Sequence, residues 1–516
     1  MAETLVKEAA ARAAPRPAEA DAPSPQAKRG VPVLHSPARP KVAPFWHEHL
    51  VPEGEPRIEV SDVQGIVFRG YGSLPACRYV LLQIRDPQAG RAWLRQLAPR
   101  VSPGVPAAEQ VAIQLAFTHA GLGALGLSED TLSAFSREFI AGMTGEHRSR
   151  FLGDTDESAP AAWDWGGPKT PPVHALLMVY ADSESRLLDT LSELRQSWLR
   201  HDLIDVHTLH TGELTGREHF GFVDGISQPA IAGYHSAASG LHSVKAGEFI
   251  LGYPNEYDLY TDRPLVDSSL DRSGLLPLDV EGSPRRDLGR NGTYLVFRQL
   301  RQNVPAFRAA LEAHSKNPDG SPNAHARDLL AAQMVGRWPS GASLIEAPYH
   351  DEASKAAENE FRYQGVDPDG LKCPIGAHVR RANPRDALAP HPGTEWSLAV
   401  NRRHRLIRRG RNYGPPLPEG ATDQNDRGLM FIVINGNISR QFEFVQHSWL
   451  VDPRFNGLYD QSDPITGASS NNQFTVPGNP VRRRCTGLPR FVTVAGGAYF
   501  FLPGIRALRF LAESSR

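Results

Sequence analysis

Residues 78–84 read RYVLLQI and are followed at once by Asp86-Pro87-Gln88-Ala89. A short apolar run of this kind is the pattern of a buried strand. Asp followed by Pro supplies a helix N-cap with proline in the first turn, where the missing N–H costs nothing. Ala89, Trp93, Leu94 and Leu97 then share one helical face. This strand-then-helix unit recurs along the chain. Residues 111–117 (VAIQLAF) and 173–181 (VHALLMVYA) read as two more strands, and Leu187, Leu188, Leu191, Leu194 and Trp198 as the apolar face of a longer helix. In the second half, residues 249–253, 293–300 and 429–434 read as strands. Asn303 and Pro305 open a helix through Phe307 and Leu311, and Ile438, Phe442, Val445 and Trp449 give another its buried face. The pattern predicts an α+β protein of two units with similar element order, residues 56–240 and 241–516.

Composition narrows the function classes. Lys plus Arg number 56 and Asp plus Glu 57, a net charge of −1 that argues against general polyanion binding, so no nucleic-acid partner is expected. Apolar stretches such as residues 429–434 fall far short of the ~18 residues of a membrane span, so no membrane partner is expected either. Cys77, Cys373 and Cys485 are too few for a disulfide framework and lack zinc-site spacing, which points to a reducing, cytoplasmic location. The first 45 residues hold 12 Ala and 8 Pro without the basic and apolar regions of a secretory signal, and residues 1–50 read as a disordered segment.

Several patterns invite a functional reading. GLGALG at 121–126 matches a dinucleotide fingerprint, but the helix after it starts at Ser128, so the glycines read as a connecting turn. His207 and His210 have i, i+3 spacing without an evident third metal ligand, and read as surface or packing histidines. Six arginines lie between Arg402 and Arg411, but Leu406 and Ile407 interrupt them as a strand core would. GFVDG at 221–225 brackets one carboxylate with glycines, and KCPIGAHVRRANPR at 372–385 carries His378. By spacing alone, Asp224 reads as a turn former and His378 as a structural histidine.

Taken together, these segments are more specific than any one of them. From about Ile58 to the C-terminus the chain resembles the dye-decolorizing peroxidases. The resemblance rests on GFVDG at 221–225, IGAHVRRANPR at 375–385, LIRRGRNYG at 406–414, RGLMFIV at 427–433 and QFEFVQHSW at 441–449, in family order. FTHAGLGALGL at 117–127, DLGRNGTYLVFRQL at 287–300 and MVGRWPSG at 334–341 are similar to that family too. The resemblance implies tandem ferredoxin-like units in a dimeric α+β barrel-type fold, and one haem b per chain with iron axially ligated by His378. It implies Arg380 as a partner of a haem propionate, Asp224 and Arg408 as the distal catalytic pair, and Leu429 and Phe431 as distal wall. A proximal histidine needs an acceptor for its second N–H; Asp463, in DPITG, is the first candidate and Glu443 the runner-up.

The activity so implied is reduction of hydrogen peroxide with one-electron oxidation of bulky phenolic or dye-like organic donors, with room for a homo-oligomer. Heterolysis of the O–O bond requires a proton to leave one oxygen and reach the other, and a carboxylate can carry it. With an ordinary pKa near ~3.9, a carboxylate is mostly an acceptor at neutral pH, so burial or acidic conditions favour return of the proton. The alternative is a non-catalytic haem-binding, haem-transfer or iron-release protein of the same fold. The joint presence of Asp224 and Arg408 favours catalysis, because holding haem requires neither.

Overall fold

The computed structural model describes residues 57–235, 241–467 and 472–513. Segment 1–50 therefore lies outside the described residues, as does the boundary placed at residue 240. Strand β1 (Ala76–Gln83) leads into α1 (Pro87–Leu97), where the Asp86 carboxylate caps the Ala89 N–H and Trp93, Leu94 and Leu97 are buried. Strands β2 (Val111–Phe117) and β3 (Ala175–Ala181), helix α2 (Glu184–Arg200) and strand β4 (Ile204–His210) follow. The second half supplies β5 (Thr293–Gln302), α3 (Val304–Ala313), the short strands β6 (Ile407–Arg408) and β7 (Arg411–Tyr413), β8 (Gly428–Asn435) and β9 (Val492–Leu502). Asn303 caps α3 at the Ala306 N–H, as its place before Pro305 predicts.

These nine strands form one antiparallel sheet in the order β6-β8-β5-β9-β2-β3-β1-β4, with β7 also paired to β8. Four strands from each half thus stand in the same relative order, second-third-first-fourth, and helical segments follow the first and third of each set. The sheet curls on itself. The rings of Tyr79 on β1 and Phe297 on β5, separated by three strands within the sheet, lie 5.2 Å apart, and the Gly212 N–H just beyond β4 donates to the Asn412 carbonyl on β7 at 2.8 Å. Strand alternation sends Tyr79 and Leu81 to the enclosed face and Val80 and Leu82 to the helix-covered face. The last helix, α4 (Ile505–Glu513), packs on that outer layer against α1.

Two local expectations need correction. Residues 249–253 are buried but form no strand: Phe249 and Ile250 donate to the Ala246 carbonyl in a turn, and Gly252 takes φ +86°. An apolar run reports burial, and local turns can satisfy its backbone as well as a ladder can. Gly121 and Gly123 lie inside a short helix, His119–Ala124, capped by Thr118. The helix after it does start beyond Ser128. A Cβ on Gly121 would fall 1.9 Å from the His174 carbonyl oxygen, so glycine there serves close packing. His207 and His210, as surface or packing histidines, lie on strand β4, where an odd spacing places them on opposite faces. No group of three potential metal ligands occurs among the described residues, and no helix there is long and apolar enough to cross a membrane.

Candidate active site

Over the second-half sheet lies a cavity whose floor includes Leu429 and Phe431 of β8, Leu300 of β5 and Val492 and Val494 of β9. On β8 the period of two turns Leu429 and Phe431 to the cavity and buries Met430 on the other face. The same cavity is lined by His378, first residue of the short helix His378–Ala382. Its Nδ1 is 2.9 Å from Oδ2 of Asp463, which is fully buried. The other carboxylate oxygen accepts from the N–H groups of Ile465 (2.9 Å) and Thr466 (2.7 Å), and the Asn472 amide donates to the Asp463 carbonyl at 2.9 Å. The acid is thereby fixed before the imidazole meets it.

Burial pushes the Asp463 carboxyl up, but the facing imidazole, Arg381 and the Thr466 N–H outweigh it and hold the group below its usual range. Burial depresses His378, and the Asp463 charge and hydrogen bond reverse this to raise it. Among the described residues, Nε2 of His378 has no hydrogen-bond partner, so a nitrogen of defined orientation is left toward the cavity. Glu443, the runner-up, is committed elsewhere. Its carboxylate accepts from Arg148 Nη1 at 2.6 Å and from the Tyr499 hydroxyl at 2.7 Å.

Also lining the cavity, Asp224 follows Gly221 (φ +104°) and precedes Gly225 (φ +85°), conformations that exclude most other residues. Its Oδ1 accepts the Gly225 N–H at 2.6 Å and lies 3.5 Å from Nη2 of Arg408. The Gln228 side chain accepts from the Arg408 N–H (3.0 Å) and donates to its carbonyl (3.2 Å), tying β6 to the loop that carries Asp224. Of the arginine run, Arg408 alone pairs with Asp224. Arg409 donates to the carbonyls of Ile66 and Val67, Arg411 to those of Pro75 and Tyr71, and Arg402 to Glu256 and Glu395.

Arg380 is not at the cavity, and its assignment to a propionate is corrected. Two residues on from His378 in a helix is a rotation of about 200°. Its guanidinium is buried on the opposite side, donating to the Asp367 carboxylate (3.0 Å) and the Cys373 carbonyl (2.7 Å) above the Tyr363 ring. Arg405, Arg385 and Arg337, which sequence reasoning passed over, do line the cavity, and none has a carboxylate within ion-pair distance among the described residues. Arg405 donates only to the Ser227 carbonyl, at 3.1 Å; burial, with the like charges of Arg385 and Arg408, pulls its pKa down to about 9. An uncompensated buried cation is costly unless an anion meets it. One imidazole nitrogen, apolar walls and a cationic edge are the donor set that fits a haem with its propionates.

No family model matches the chain. It is 31% identical over 445 residues to a dye-decolorizing peroxidase of Mycena epipterygia, covering 78% of this chain and 76% of the relative. It is 30% identical over 485 residues to one of Exidia glandulosa, covering 87% and 86%. A solved dye-decolorizing peroxidase in complex with 2,6-dimethoxyphenol superposes with a TM-score of 0.71 at 25% identity, over 88% of this chain and all of that one. The chain belongs to the dye-decolorizing peroxidase family. As such it is an oxidoreductase acting on peroxide, in a family of haem proteins.

Within this peroxidase the second-sphere choice can be tested. With haem bound, Asp463→Asn is expected to raise the ferric/ferrous potential and lower activity by about 10-fold to 100-fold, the usual cost of losing such a partner. Glu443→Gln is expected to leave the potential unchanged. Potentiometric titration of both variants decides it, and an upward shift in the Glu443 variant alone would transfer the role.

Proposed function

We propose that this protein binds haem b through His378 and reduces hydrogen peroxide, oxidising bulky phenolic or dye-like donors in one-electron steps. The observation that carries this reading is the placing of the His378–Asp463 pair and the Asp224–Arg408 pair around a single cavity. Bound haem supplies the redox-active iron. The Asp224 carboxylate accepts a proton from one peroxide oxygen and returns it to the other. Arg408, permanently cationic, stabilises the negative charge growing on the departing oxygen. Asp463 keeps His378 in one orientation and increases its electron density. Leu429 and Phe431 narrow the space on that side, so large donors give up electrons without reaching the centre.

We read the repeated strand order as tandem ferredoxin-like units forming a barrel-type fold, each contributing four strands to the curled sheet. Cys77, Cys373 and Cys485 are all free and buried, which supports the cytoplasmic reading. Haem storage, transfer or iron release without turnover is the less favoured reading, since it leaves Asp224 and Arg408 unexplained. A steady-state assay separates the two: 2,6-dimethoxyphenol should be oxidised only when peroxide is present, and haem-loaded protein inert to both would sink the peroxidase reading.

The arginine reassignment has its own test. Arg405→Leu should release haem faster by roughly 10-fold to 100-fold, the scale of one charge-assisted contact of about 1.5–3 kcal/mol. Arg380→Leu should leave haem release nearly unchanged but destabilise the fold by about 3–5 kcal/mol, because Asp367 keeps a buried, unpaired charge. Haem transfer to an acceptor protein and chemical denaturation measure these, and the opposite assignment of effects would restore Arg380 to the propionate.

A further inference from the structure

Asp224 has few ties of its own. Its side chain is 51% exposed and, among the described residues, bonds only to the adjacent Gly225 N–H and, at 3.5 Å, to Arg408. The position of its carboxylate is therefore set by the backbone of residues 218–225. That backbone is organised by a second carboxylate on the cavity wall, six residues upstream. Oε1 of Glu218 accepts the Phe222 N–H at 2.9 Å, and Oε2 accepts the Phe220 N–H at 2.9 Å. Its own N–H and carbonyl close the same loop, to the Phe222 carbonyl and the Gly221 N–H, each at 2.9 Å. Oε2 also accepts from Nε2 of Gln302, the last residue of β5, at 2.6 Å. Among the described residues no cation lies within ion-pair distance of Glu218. A carboxylate on a cavity wall without a cation is held there by neutral donors alone, and each of its donors belongs either to the loop or to the sheet.

We propose that Glu218 is the positioning residue for Asp224, linking the Asp224 loop to strand β5 through Gln302. It touches no reacting atom; it acts through the place it gives Asp224. The proposal rests on the peroxide-cleaving reading of the Asp224–Arg408 pair. Gly221, at φ +104°, lies between Glu218 and Asp224, and besides Glu218 this stretch is held by Arg217 at the Gly221 carbonyl and by the Val223 N–H at Pro339; freeing the Glu218 side chain leaves those bonds alone to place the Asp224 carboxylate, which then shifts. A misplacement of ~1 Å in a reacting group costs up to about 10²-fold in rate.

The test uses the haem-loaded full chain and follows the peroxide-dependent absorbance change by stopped flow. Glu218→Gln keeps size and one acceptor but puts an NH₂ against either the Phe222 N–H or the Phe220 N–H and the Gln302 amide together. It should retain haem occupancy and the resting spectrum while slowing the peroxide step by about 10-fold to 100-fold. Adding Gln302→Glu gives the new amide a carboxylate partner and should recover most of the loss. Combined with Asp224→Asn, Glu218→Gln should add no further slowing, because groups acting as one unit are not additive. Wild-type rates in Glu218→Gln, a swapped pair as slow as the single variant, or a full extra loss on top of Asp224→Asn would each overturn the proposal. If Glu218→Gln does not fold, Gln302→Leu decides alone: slowing supports the link, and a wild-type rate overturns it. Should wild-type protein fail to react with peroxide, or Asp224→Asn react as fast as wild type, the functional reading fails and not this assignment.

Discussion

His378→Ala is expected to purify with little haem, its affinity lowered by more than the roughly 10-fold to 100-fold that losing an outer-sphere partner costs a metal site. The expectation follows from what else the cavity offers. Among the described residues no cysteine or second histidine lines it, and its other nitrogen-bearing groups are chiefly arginines, which carry their proton at neutral pH and so do not act as ligands. Asp463 would be left in the variant as a buried carboxylate facing a void, with only the Ile465 and Thr466 donors. A second change, His378→Ala with Asp463→Ala, removes that stranded charge and should restore stability without restoring haem. Pigment content and the Soret-to-protein absorbance ratio measure the result. Full haem occupancy with an unchanged ferric spectrum in His378→Ala would remove the ligand assignment.

The second large effect is on the distal side. Asp224→Asn keeps the shape of the side chain and can still accept the Gly225 N–H, but an amide cannot take a proton from peroxide and hand it back. Arg408→Leu leaves Asp224 in place and removes the charge opposite it. Each variant should keep its haem and react with peroxide about 10²-fold or more slowly, the usual scale for a proton-transfer group or a charge-stabilising donor. On the proposed mechanism the two act on one bond cleavage, so the double variant should be far less impaired than the product of the two losses. Stopped-flow mixing reads these rates, and unchanged rates in both single variants would take the pair out of the mechanism.

How much of this was legible in the sequence depended on whether the deciding contacts were local. Asp86 before Pro87, Asn303 before Pro305 and Ser128 before Glu129 all act within a single helical turn, and each caps the helix it precedes. Apolar runs at 111–117, 293–300 and 429–434 mark strands because they are long enough, β-rich and bounded by polar or turn residues. The run at 249–253 is also largely apolar, but Gly252 lies within it at φ +86° and lets the chain turn, a distinction that apolar periodicity does not register. The closure of β4 against β7 through Gly212 and Asn412 joins residues 200 apart in the chain, where no pattern within one segment can reveal it.

The site divides in the same way. Asp224, His378, Arg408, Leu429 and Phe431 lie in short segments whose resemblance to a family places them, and the structure brings all five to one cavity. The same resemblance implies Arg380 as a propionate partner, but a rotation of about 200° over the two helical residues from His378 turns it to Asp367 and the Cys373 carbonyl, a contact that only the folded chain reveals. Arg405 sits three residues before Arg408 in the same arginine run, yet only burial and the want of a carboxylate single it out. Glu218 was passed over because, six residues before Asp224, it resembles any exposed acid until its bonds to Phe220, Phe222 and Gln302 are seen.

The most direct measurement is the absorption spectrum of the purified protein before and after one equivalent of hydrogen peroxide. The resting protein should show a ferric Soret band that changes within the mixing time and returns to its starting form when two equivalents of a phenolic donor are added. A protein without a Soret band, or one whose band is indifferent to peroxide, would contradict the account.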